Sequence, residues 1–426
     1  HYGCVPSKSL LRTAQVAHTA RHAGDYGIDV AGAVSADMQR VNAYIQHAVS
    51  VIQQHDSHER FSELGCDIFN GLAHFVDAHH IQTGSNDLYA RRIVIATGSR
   101  ALIPAFDGLD TVDYLTNEDM FSLGSLPQHL LVLGGGPVGV EMAQAYARLG
   151  CRVTLIEQAQ CILPRFDPDI SRLLHDQLVA DGIDVVHAAV DRVRQSDGIK
   201  TVVLEDRREY SGDQVLLALG RRPVVSALQL EKAGVEYDAS GIRVNSRMQT
   251  SRRHIFACGD VTGKMPFTHV AEQQAGVIIA NAVFRIPRRM DYRVVPAVVY
   301  TEPECAQAGI SPYAAEQDAA MKVVRFDMQQ LDRAITDNTT PGLLKLVVKK
   351  GRLVGAQIGG HHAGEIIHEL ALAMQQKMKL STITALIHAY PSYSQLNRRA
   401  AGQYYRDSLF SPLMKKLAKF LSRRLP

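Results

Sequence analysis

The chain of 426 residues exceeds what one hydrophobic core usually serves, so two or three domains are expected, and its 46% hydrophobic content is enough to fold them. Its 46 Lys and Arg against 43 Asp and Glu leave a formal charge of +3, too even for general nucleic-acid binding. Six scattered cysteines lack metal-ligand spacing, and neither a membrane span nor a signal peptide is visible. We therefore expect a globular, cytoplasmic protein of a reducing compartment, with no metal site and no nucleic-acid partner.

The first predicted element is a helix that begins near Pro6 and Ser7, which are typical helix-start residues. Leu10 and the apolar residues after it supply a face for packing. Cys4 lies just before this start, where the positive end of the helix and Lys8 would both favour a thiolate. The pattern predicts a reactive thiol, and the alternative is a small buried cysteine at a turn.

Two segments far apart in the chain have the same strand-to-turn pattern. Residues 92–96 and residues 255–257 are apolar runs of β-type residues. The turn residues are Thr97 and Gly98 after the first run, and Gly259 and Asp260 after the second. Such strand ends can lie against a cofactor, and the alternative is an ordinary turn.

The most informative stretch, residues 131–157, has the sequence LVLGGGPVGVEMAQAYARLGCRVTLIE. It predicts a strand, a turn with Gly134, Gly136 and Gly139 in G-x-G-x-x-G spacing, a helix and a second strand that ends at Glu157. The glycines let the backbone approach a pyrophosphate, whose charge the helix start stabilises. Glu157 can accept hydrogen bonds from a ribose 2′-hydroxyl and would repel a 2′-phosphate, so we expect NADH, with NADPH less favoured. A tight structural turn is the alternative.

The last part of the chain alternates β-rich runs with a helix and ends in a basic tail. Residues 342–348 and 353–358 are the β-rich runs, and residues 363–376 are the predicted helix. In the tail, residues 411–426, apolar residues recur at helical spacing. These are Leu413, Leu417, Phe420 and Leu421, and the cations are Lys415, Lys416, Lys419, Arg423 and Arg424, with no acid. Such a helix can contact an anionic membrane peripherally, or its apolar face can dock on a dimer.

Several motifs resemble those of the flavoprotein disulfide reductases, the family of dihydrolipoamide dehydrogenase, glutathione reductase and mercuric reductase. GCVPSK, residues 3–8, resembles their redox-disulfide helix, and GGGPVGVE, residues 134–141, resembles their second glycine fingerprint. Further matches follow in family order: ATGSR (96–100), ALGRRP (218–223), IFACGD (255–260), VVYTEPE (298–304) and AYPSYSQ (389–395). The resemblance runs essentially from end to end, and the shared order makes chance agreement implausible.

The resemblance implies an α/β fold with two Rossmann-type nucleotide-binding domains and an α+β C-terminal dimerisation domain. Residues 1–116 and 250–286 would form the FAD domain, incomplete at its N-terminus. Residues 117–249 would form the NAD(P) domain, residues 287–410 the dimerisation domain, and residues 411–426 the basic amphipathic tail. A homodimer is expected.

The resemblance also assigns cofactor-binding positions. These are Ala73, Thr97, Gly98, Gly259 and Asp260 for FAD, Gly134, Gly136, Gly139 and Glu157 for the nicotinamide dinucleotide, and Gly220 as a further cofactor-binding position. The backbone of residues 71–75 would hold the adenine, and the Asp260 carboxylate would bind the ribityl and phosphate region.

Three catalytic positions carry over in the same way. Cys4 matches the flavin-proximal thiol, and Lys8 and Glu141 match an ion pair beside the flavin and nicotinamide. A fixed ammonium held by a carboxylate can stabilise the negative charge that hydride transfer creates. The alternative is a solvated Lys and a solvated Glu.

The last motif departs from most of the family. Dihydrolipoamide dehydrogenase-like and glutathione reductase-like chains have a His and a Glu where this chain has Tyr390 and Gln395. A phenol titrates at about pH 10 and an amide not at all, so this pair would relay protons poorly. His388 is a candidate substitute, although a structural role suits it better. Mercuric reductase-like chains share the Tyr, but their C-terminal cysteine pair has no counterpart after Cys305.

Family members also begin with a further βαβ unit and carry a first redox cysteine upstream of the second. We therefore expect an N-terminally incomplete version of a longer protein, which by itself binds FAD weakly and exchanges no disulfide. The complete protein would be an FAD-dependent, mercuric reductase-like enzyme that passes electrons from NADH through flavin and a dithiol, Cys4 plus the upstream cysteine, to a small oxidant. The oxidant would be a soft metal ion, a low-molecular-weight disulfide or a quinone. The alternatives are a dihydrolipoyl dehydrogenase and a redox-degenerate, membrane-docked interaction protein.

Overall fold

The computed structural model describes residues 3–422, and within them helices and strands alternate along most of the chain. The α-helices are α1 Cys4–Arg21, α2 Met38–Gln53, α3 His58–Glu63, α4 Pro137–Leu149, α5 Pro168–Ala180, α6 Thr268–Ala282, α7 Pro312–Ala315, α8 Asp332–Thr336, α9 Ala363–Gln375, α10 Leu380–Ala385, α11 Gln395–Leu409 and α12 Pro412–Ser422.

The β-strands follow the same chain order. They are β1 Ala73–Phe75, β2 His80–Thr83, β3 Asn86–Tyr89, β4 Ile93–Ile95, β5 Ser99–Ala101, β6 His129–Leu133, β7 Arg152–Glu157, β8 Asp184–His187, β9 Val190–Ser196, β10 Ile199–Leu204, β11 Glu209–Gly212, β12 Gln214–Leu217, β13 Arg221–Pro223, β14 Tyr237–Asp238, β15 Gly241–Ile242, β16 Ile255–Ala257, β17 Ala297–Val299, β18 Glu304–Gly309, β19 Met321–Asp327, β20 Leu343–Lys349 and β21 Arg352–Gly360. This order of helices and strands is that of a mixed α/β fold, as predicted.

One compact unit comprises His1–Gly139, Leu149–Arg152 and Val190–Tyr292. In it α1 packs against α2, and Leu10 on α1 and Ile45 on α2 are fully buried. Strand β16 lies parallel to β4, and β13 lies antiparallel to β5. Because parallel strands end at the same edge of a sheet, β4 and β16 bring the two predicted cofactor turns side by side.

The predicted strand-turn-helix-strand order is confirmed around the glycine fingerprint. Strand β6 ends at Leu133, α4 begins at Pro137 and β7 ends at Glu157. β6 pairs in parallel with β12, and β7 pairs in parallel with β8. The apolar residues of β6 are almost completely buried, as expected for strands covered on both faces.

The other unit comprises Val140–Arg148, Val153–Ala189 and Arg293–Pro426. Its centre is a five-stranded antiparallel sheet in the order β17-β18-β21-β20-β19, with α9 and α11 packed against it. The predicted β-rich runs and the helix after them are confirmed as β20, β21 and α9. Buried aliphatic residues of these elements form one core.

Two elements at the ends of the chain bear on function. Helix α1 begins at Cys4, two residues before the predicted start, because Pro6 is tolerated within a first helical turn, where its missing N–H would have no partner. The tail is helical from Pro412 to Ser422, as predicted, whereas Arg423 and Arg424 lie outside the described residues. Within residues 3–422, every helix is too short or too polar to cross a lipid bilayer.

Candidate functional site

The turns after β4 and β16 form one edge around Asp260. Cys258 N donates to Ile95 O at 3.0 Å, which fixes the two strand ends together. The Asp260 carboxylate accepts a hydrogen bond from Ser99 Oγ at 2.5 Å and lies 3.6 Å from Arg221 Nε. Arg221 in turn donates to Ser99 Oγ and to Ser99 O, each at 2.7 Å. Asp260 is therefore a fixed carboxylate at the carboxyl ends of parallel strands, where ligands bind in open α/β sheets.

The other predicted FAD positions surround this edge or lie on a separate strand. Thr97 Oγ1 donates to Val224 O at 2.7 Å, which holds the turn. A side-chain carbon at Gly98 or Gly220 would meet no atom within 4 Å, so the backbone is open to a ligand there. Ala73 starts β1, the edge strand of a three-stranded sheet. The Asp260 carboxylate can accept hydrogen bonds from ribityl hydroxyls, and the backbone at Gly98 and Gly220 leaves room for a ligand. These residues therefore fit FAD.

The three fingerprint glycines have different physical roles. A side-chain carbon at Gly134 would lie 2.6 Å from Ala218 O, and one at Gly139 would overlap Gly134 O. Both glycines are required by the packing of the protein itself. At Gly136 such a carbon would meet nothing within 4 Å. The open backbone at Gly136 therefore fits a dinucleotide phosphate, which Gly134 and Gly139 make room for by permitting the turn.

Glu157 ends β7 as a half-buried carboxylate. Its Oε1 accepts a hydrogen bond from Ala159 N at 2.8 Å. His187 Nδ1 lies 2.7 Å from Ala159 O, so the loop after the strand is tied to β8. The carboxylate is held at the strand end, the position that recognises ribose hydroxyls in dinucleotide-binding folds.

Cys4 is an exposed thiol at the first residue of α1. Its Sγ lies 3.4 Å from Oγ1 of Thr268, the first residue of α6. The sulfur is thus near the N-termini of two helices, whose partial positive charge stabilises negative charge. Sequence reasoning missed Thr268, because the two residues are 264 positions apart and no local pattern marks the contact.

Lys8 and Glu141 are both placed by their helices. Lys8 is half-buried on α1, and its Nζ donates to Ser7 Oγ at 3.4 Å. Glu141 is buried on α4, and its Oε1 accepts a hydrogen bond from Tyr300 N at 2.9 Å. Their mutual ion pair stays a prediction from the resemblance.

One face of α4 holds the VVYTEPE segment. Gln144 exchanges two hydrogen bonds with the backbone of Glu302, each 2.7 Å long. Arg148 pairs with Asp181 at 2.9 Å and with the Glu302 carboxylate. Because Glu141, Gln144 and Arg148 recur at helical spacing, one helix face fixes residues 300–302.

Tyr390 and Gln395 have contrasting environments. The Tyr390 side chain is 69% exposed, and a hydrogen bond with the Asp332 carboxylate raises the pKa of its phenol. Gln395 is buried at the start of α11, and its Oε1 has no hydrogen-bond partner among residues 3–422. It lines a cavity of about 350 Å³ with Thr384, Arg398, Arg399 and Gly402. The phenol stays a neutral hydrogen-bonding group at neutral pH, so neither side chain is an efficient proton relay.

Both ring nitrogens of His388 have hydrogen-bonding partners within the protein. Its Nε2 lies 3.2 Å from Glu369 Oε1 and its Nδ1 lies 3.2 Å from Leu386 O. Asn397 Nδ2 donates to the same Glu369 carboxylate at 2.8 Å. The imidazole is only 4% exposed, so this geometry favours the structural role over substitution for the missing His.

Comparison with known proteins gives matches over nearly the whole chain. Residues 1–275 match the model of the pyridine nucleotide-disulphide oxidoreductases, and residues 295–401 match the dimerisation domain of the same family. Mercuric reductase from Lysinibacillus sphaericus is 32% identical over 95% of this chain and 76% of its own length. Dihydrolipoyl dehydrogenase from Bacillus subtilis is 32% identical over 92% of this chain and 88% of its own.

A solved structure is similar as well. The Cu(II) complex of the HOCl-induced flavoprotein disulfide reductase RclA from Escherichia coli has a TM-score of 0.84 and 27% identity, over 93% of this chain and 89% of that chain. Family model, relatives and fold agree with one another and with the motif order. The chain belongs to the flavin-dependent pyridine nucleotide-disulphide oxidoreductases, and it carries their dimerisation domain.

Proposed function

We propose that the complete enzyme passes electrons from NADH through FAD and a redox dithiol that contains Cys4 to a small oxidant. The oxidant is a soft metal ion, a low-molecular-weight disulfide or a quinone. Relatives named mercuric reductase and the RclA structure titled as a Cu(II) complex support a metal ion among these candidates. The dimerisation domain supports a homodimer as the working form.

The observation that carries this proposal is the pair of environments at Tyr390 and Gln395. The Asp332 carboxylate raises the pKa of the exposed phenol, and the buried amide cannot take up a proton. A dithiol that exchanges with lipoamide needs a base to move its proton. A metal ion or quinone makes a smaller demand on such a base, so this arrangement favours those oxidants over lipoamide.

The preference for NADH rests on Glu157 and Gly136. The open backbone at Gly136 leaves room for the pyrophosphate, and the carboxylate at the end of β7 offers acceptors for ribose hydroxyls. The same carboxylate would repel the 2′-phosphate of NADPH. Glu157 is therefore expected to set the preference between NADH and NADPH.

Cys4, Lys8 and Glu141 provide the remaining chemistry. The helix starts at Cys4 and Thr268 stabilise a developing thiolate, and the Thr268 hydroxyl lies within reach of its sulfur. In the ion pair that the family resemblance implies, the buried Glu141 would hold the Lys8 ammonium, which would stabilise negative charge beside the isoalloxazine.

Steady-state assays on the full-length, FAD-containing enzyme test the proposal. NADH oxidation is measured with Hg(II), Cu(II), glutathione disulfide, a quinone and lipoamide. We expect at least one of the first four to give a kcat/KM about tenfold or more above that for lipoamide. A higher kcat/KM for lipoamide would identify a dihydrolipoyl dehydrogenase, and no turnover with any oxidant would favour a redox-degenerate protein.

A further inference from the structure

We propose that α12 docks the protein reversibly on an anionic lipid surface. No residue of this helix is buried, and its leucine side chains are exposed. The exposed fractions are 75% for Leu413, 45% for Leu417 and 48% for Leu421. An 11-residue helix is too short to span a bilayer, so it would lie along the surface.

The preceding helix, α11, differs from α12 because it packs on its own domain. Helix α11 buries Leu396, Ala400 and Ala401 against the antiparallel sheet. Two residues separate the end of α11 at Leu409 from Pro412, where the chain begins a second helix of clearer amphipathic pattern that has no buried residue. The exposed apolar face is therefore a property of α12 and not of the whole C-terminal region.

The positive charges of α12 favour an anionic partner. At 100° per residue, Leu413, Leu417 and Leu421 lie on one side of the helix. Lys415 and Lys419 lie on the opposite side, and Lys416 lies at the flank between the two. Residues 411–426 contain no acid, and Arg423 and Arg424, outside the described residues, add two further cations to the sequence.

A surface of anionic headgroups above acyl chains matches both faces of this helix. The apolar residues would enter the boundary between headgroups and acyl chains, while the lysines extend their ammonium groups to the phosphates. The same helix from a second copy would bring only like charges, so helix-to-helix pairing is disfavoured. Charge and geometry together point to lipid.

Co-sedimentation of the full-length enzyme with vesicles tests this proposal. Vesicles of phosphatidylcholine with phosphatidylglycerol should pellet the protein, and vesicles of phosphatidylcholine alone should not. High salt should release it, because the attraction between cations and headgroups is screened. The enzyme lacking residues 411–426 should stay in the supernatant with its NADH turnover unchanged.

Two variants separate the roles of charge and apolar face. Replacing Lys415, Lys416 and Lys419 together by Gln should weaken vesicle binding about tenfold or more. The matched control replaces the exposed Lys232, Lys350 and Lys377 by Gln, which removes the same number of charges, and should bind as the wild type does.

The apolar variant, Leu417→Gln with Leu421→Gln, decides between lipid and protein as the occupant. It should reduce vesicle binding and leave the sedimentation coefficient without vesicles unchanged. A wild-type enzyme that stays in the supernatant with anionic vesicles would overturn the proposal. So would a changed oligomeric state of the apolar variant with no loss of vesicle binding, which would show that α12 covers a second copy of the chain.

Discussion

This chain keeps the family's glycine residues in the turn between β6 and α4. It lacks the family's His and Glu in the loop that leads into α11. In the turn, Gly134 and Gly139 are required by the packing around them, and Gly136 leaves the backbone open. In the loop, Tyr390 and Gln395 replace a His and a Glu, and Gln395 Oε1 is buried without a partner among the described residues.

This contrast separates two parts of the enzyme that place different physical demands on their residues. A dinucleotide site depends on backbone geometry, which leaves little freedom in the residue type. An oxidant site depends on a few side chains, which can be exchanged while the fold is kept. We infer that electron entry from the nicotinamide is conventional and that electron exit to the oxidant is altered. Substitutions at the glycine turn, at Cys4, at Glu157 and at Tyr390 test this contrast.

The largest effect is expected at the turn itself. The Gly139→Ala methyl group would overlap Gly134 O, so the free energy of unfolding should fall by about 3 kcal/mol. Gly136→Ala is the matched variant, since its methyl group meets nothing within 4 Å. It should keep the thermal midpoint and raise the KM for NADH. Equal losses of stability in both variants would contradict the assignment of separate roles.

Replacing Cys4 should affect only one of the two half-reactions, the transfer of electrons to the oxidant. In Cys4→Ser, NADH should still bleach the flavin absorbance, while turnover with the oxidant should fall about 100-fold or more, because the nucleophilic sulfur is gone. Cys66→Ser removes another exposed thiol and serves as the control. Unchanged oxidant turnover in Cys4→Ser would remove Cys4 from the path of the electrons.

The effect expected at Glu157 is smaller, a change of about tenfold in the ratio of kcat/KM for NADH and NADPH. The wild-type kcat/KM for NADH should exceed that for NADPH by about tenfold, and Glu157→Arg should narrow or reverse this ratio by removing the repulsion of the 2′-phosphate. Glu236→Arg makes the same charge change at an exposed acid and should leave the ratio unchanged. A wild-type preference for NADPH would make Glu157 a surface acid without a role in recognition.

Tyr390 carries the smallest expected effect. Tyr390→Phe should slow oxidant turnover about three- to tenfold, the range for one lost hydrogen bond, and leave flavin reduction by NADH intact. The Asp332 hydrogen bond raises the pKa of the phenol, so ionisation of Tyr390 should not alter turnover below about pH 10. Tyr237→Phe, at another exposed tyrosine, is the control. Normal turnover of Tyr390→Phe with every oxidant would reduce Tyr390 to a packing residue.

Local pattern was sufficient for the elements that carry the nucleotide turn. Strand β6, the glycines, α4 and β7 follow from hydrophobic runs and glycine spacing within 27 consecutive residues, and β20, β21 and α9 follow from periodicity alone. Boundaries differ from the predicted ones by one or two residues at several strands and at the start of α1, where Pro6 is compatible with more than one position in a first helical turn.

Contacts between distant residues were not predictable from the sequence. Thr268 beside Cys4, Arg221 beside Asp260 and Glu369 beside His388 each join separate segments of the chain. No periodicity marks such pairs, since tertiary packing alone brings them together. The motifs ATGSR and ALGRRP contain Ser99 and Arg221. Each of these polar residues follows a strand closely, which could have indicated that they share a carboxylate partner, Asp260.

Anaerobic stopped-flow mixing of the full-length, FAD-containing enzyme tests the central contrast most directly. The enzyme is reduced first with NADH or NADPH and then mixed with lipoamide or with the best oxidant of the assay panel. The account predicts that NADH bleaches the flavin faster than NADPH does, and that the chosen oxidant restores the absorbance faster than lipoamide does. Slow reduction by NADH, or restoration by lipoamide at least as fast as by every other oxidant, would contradict it.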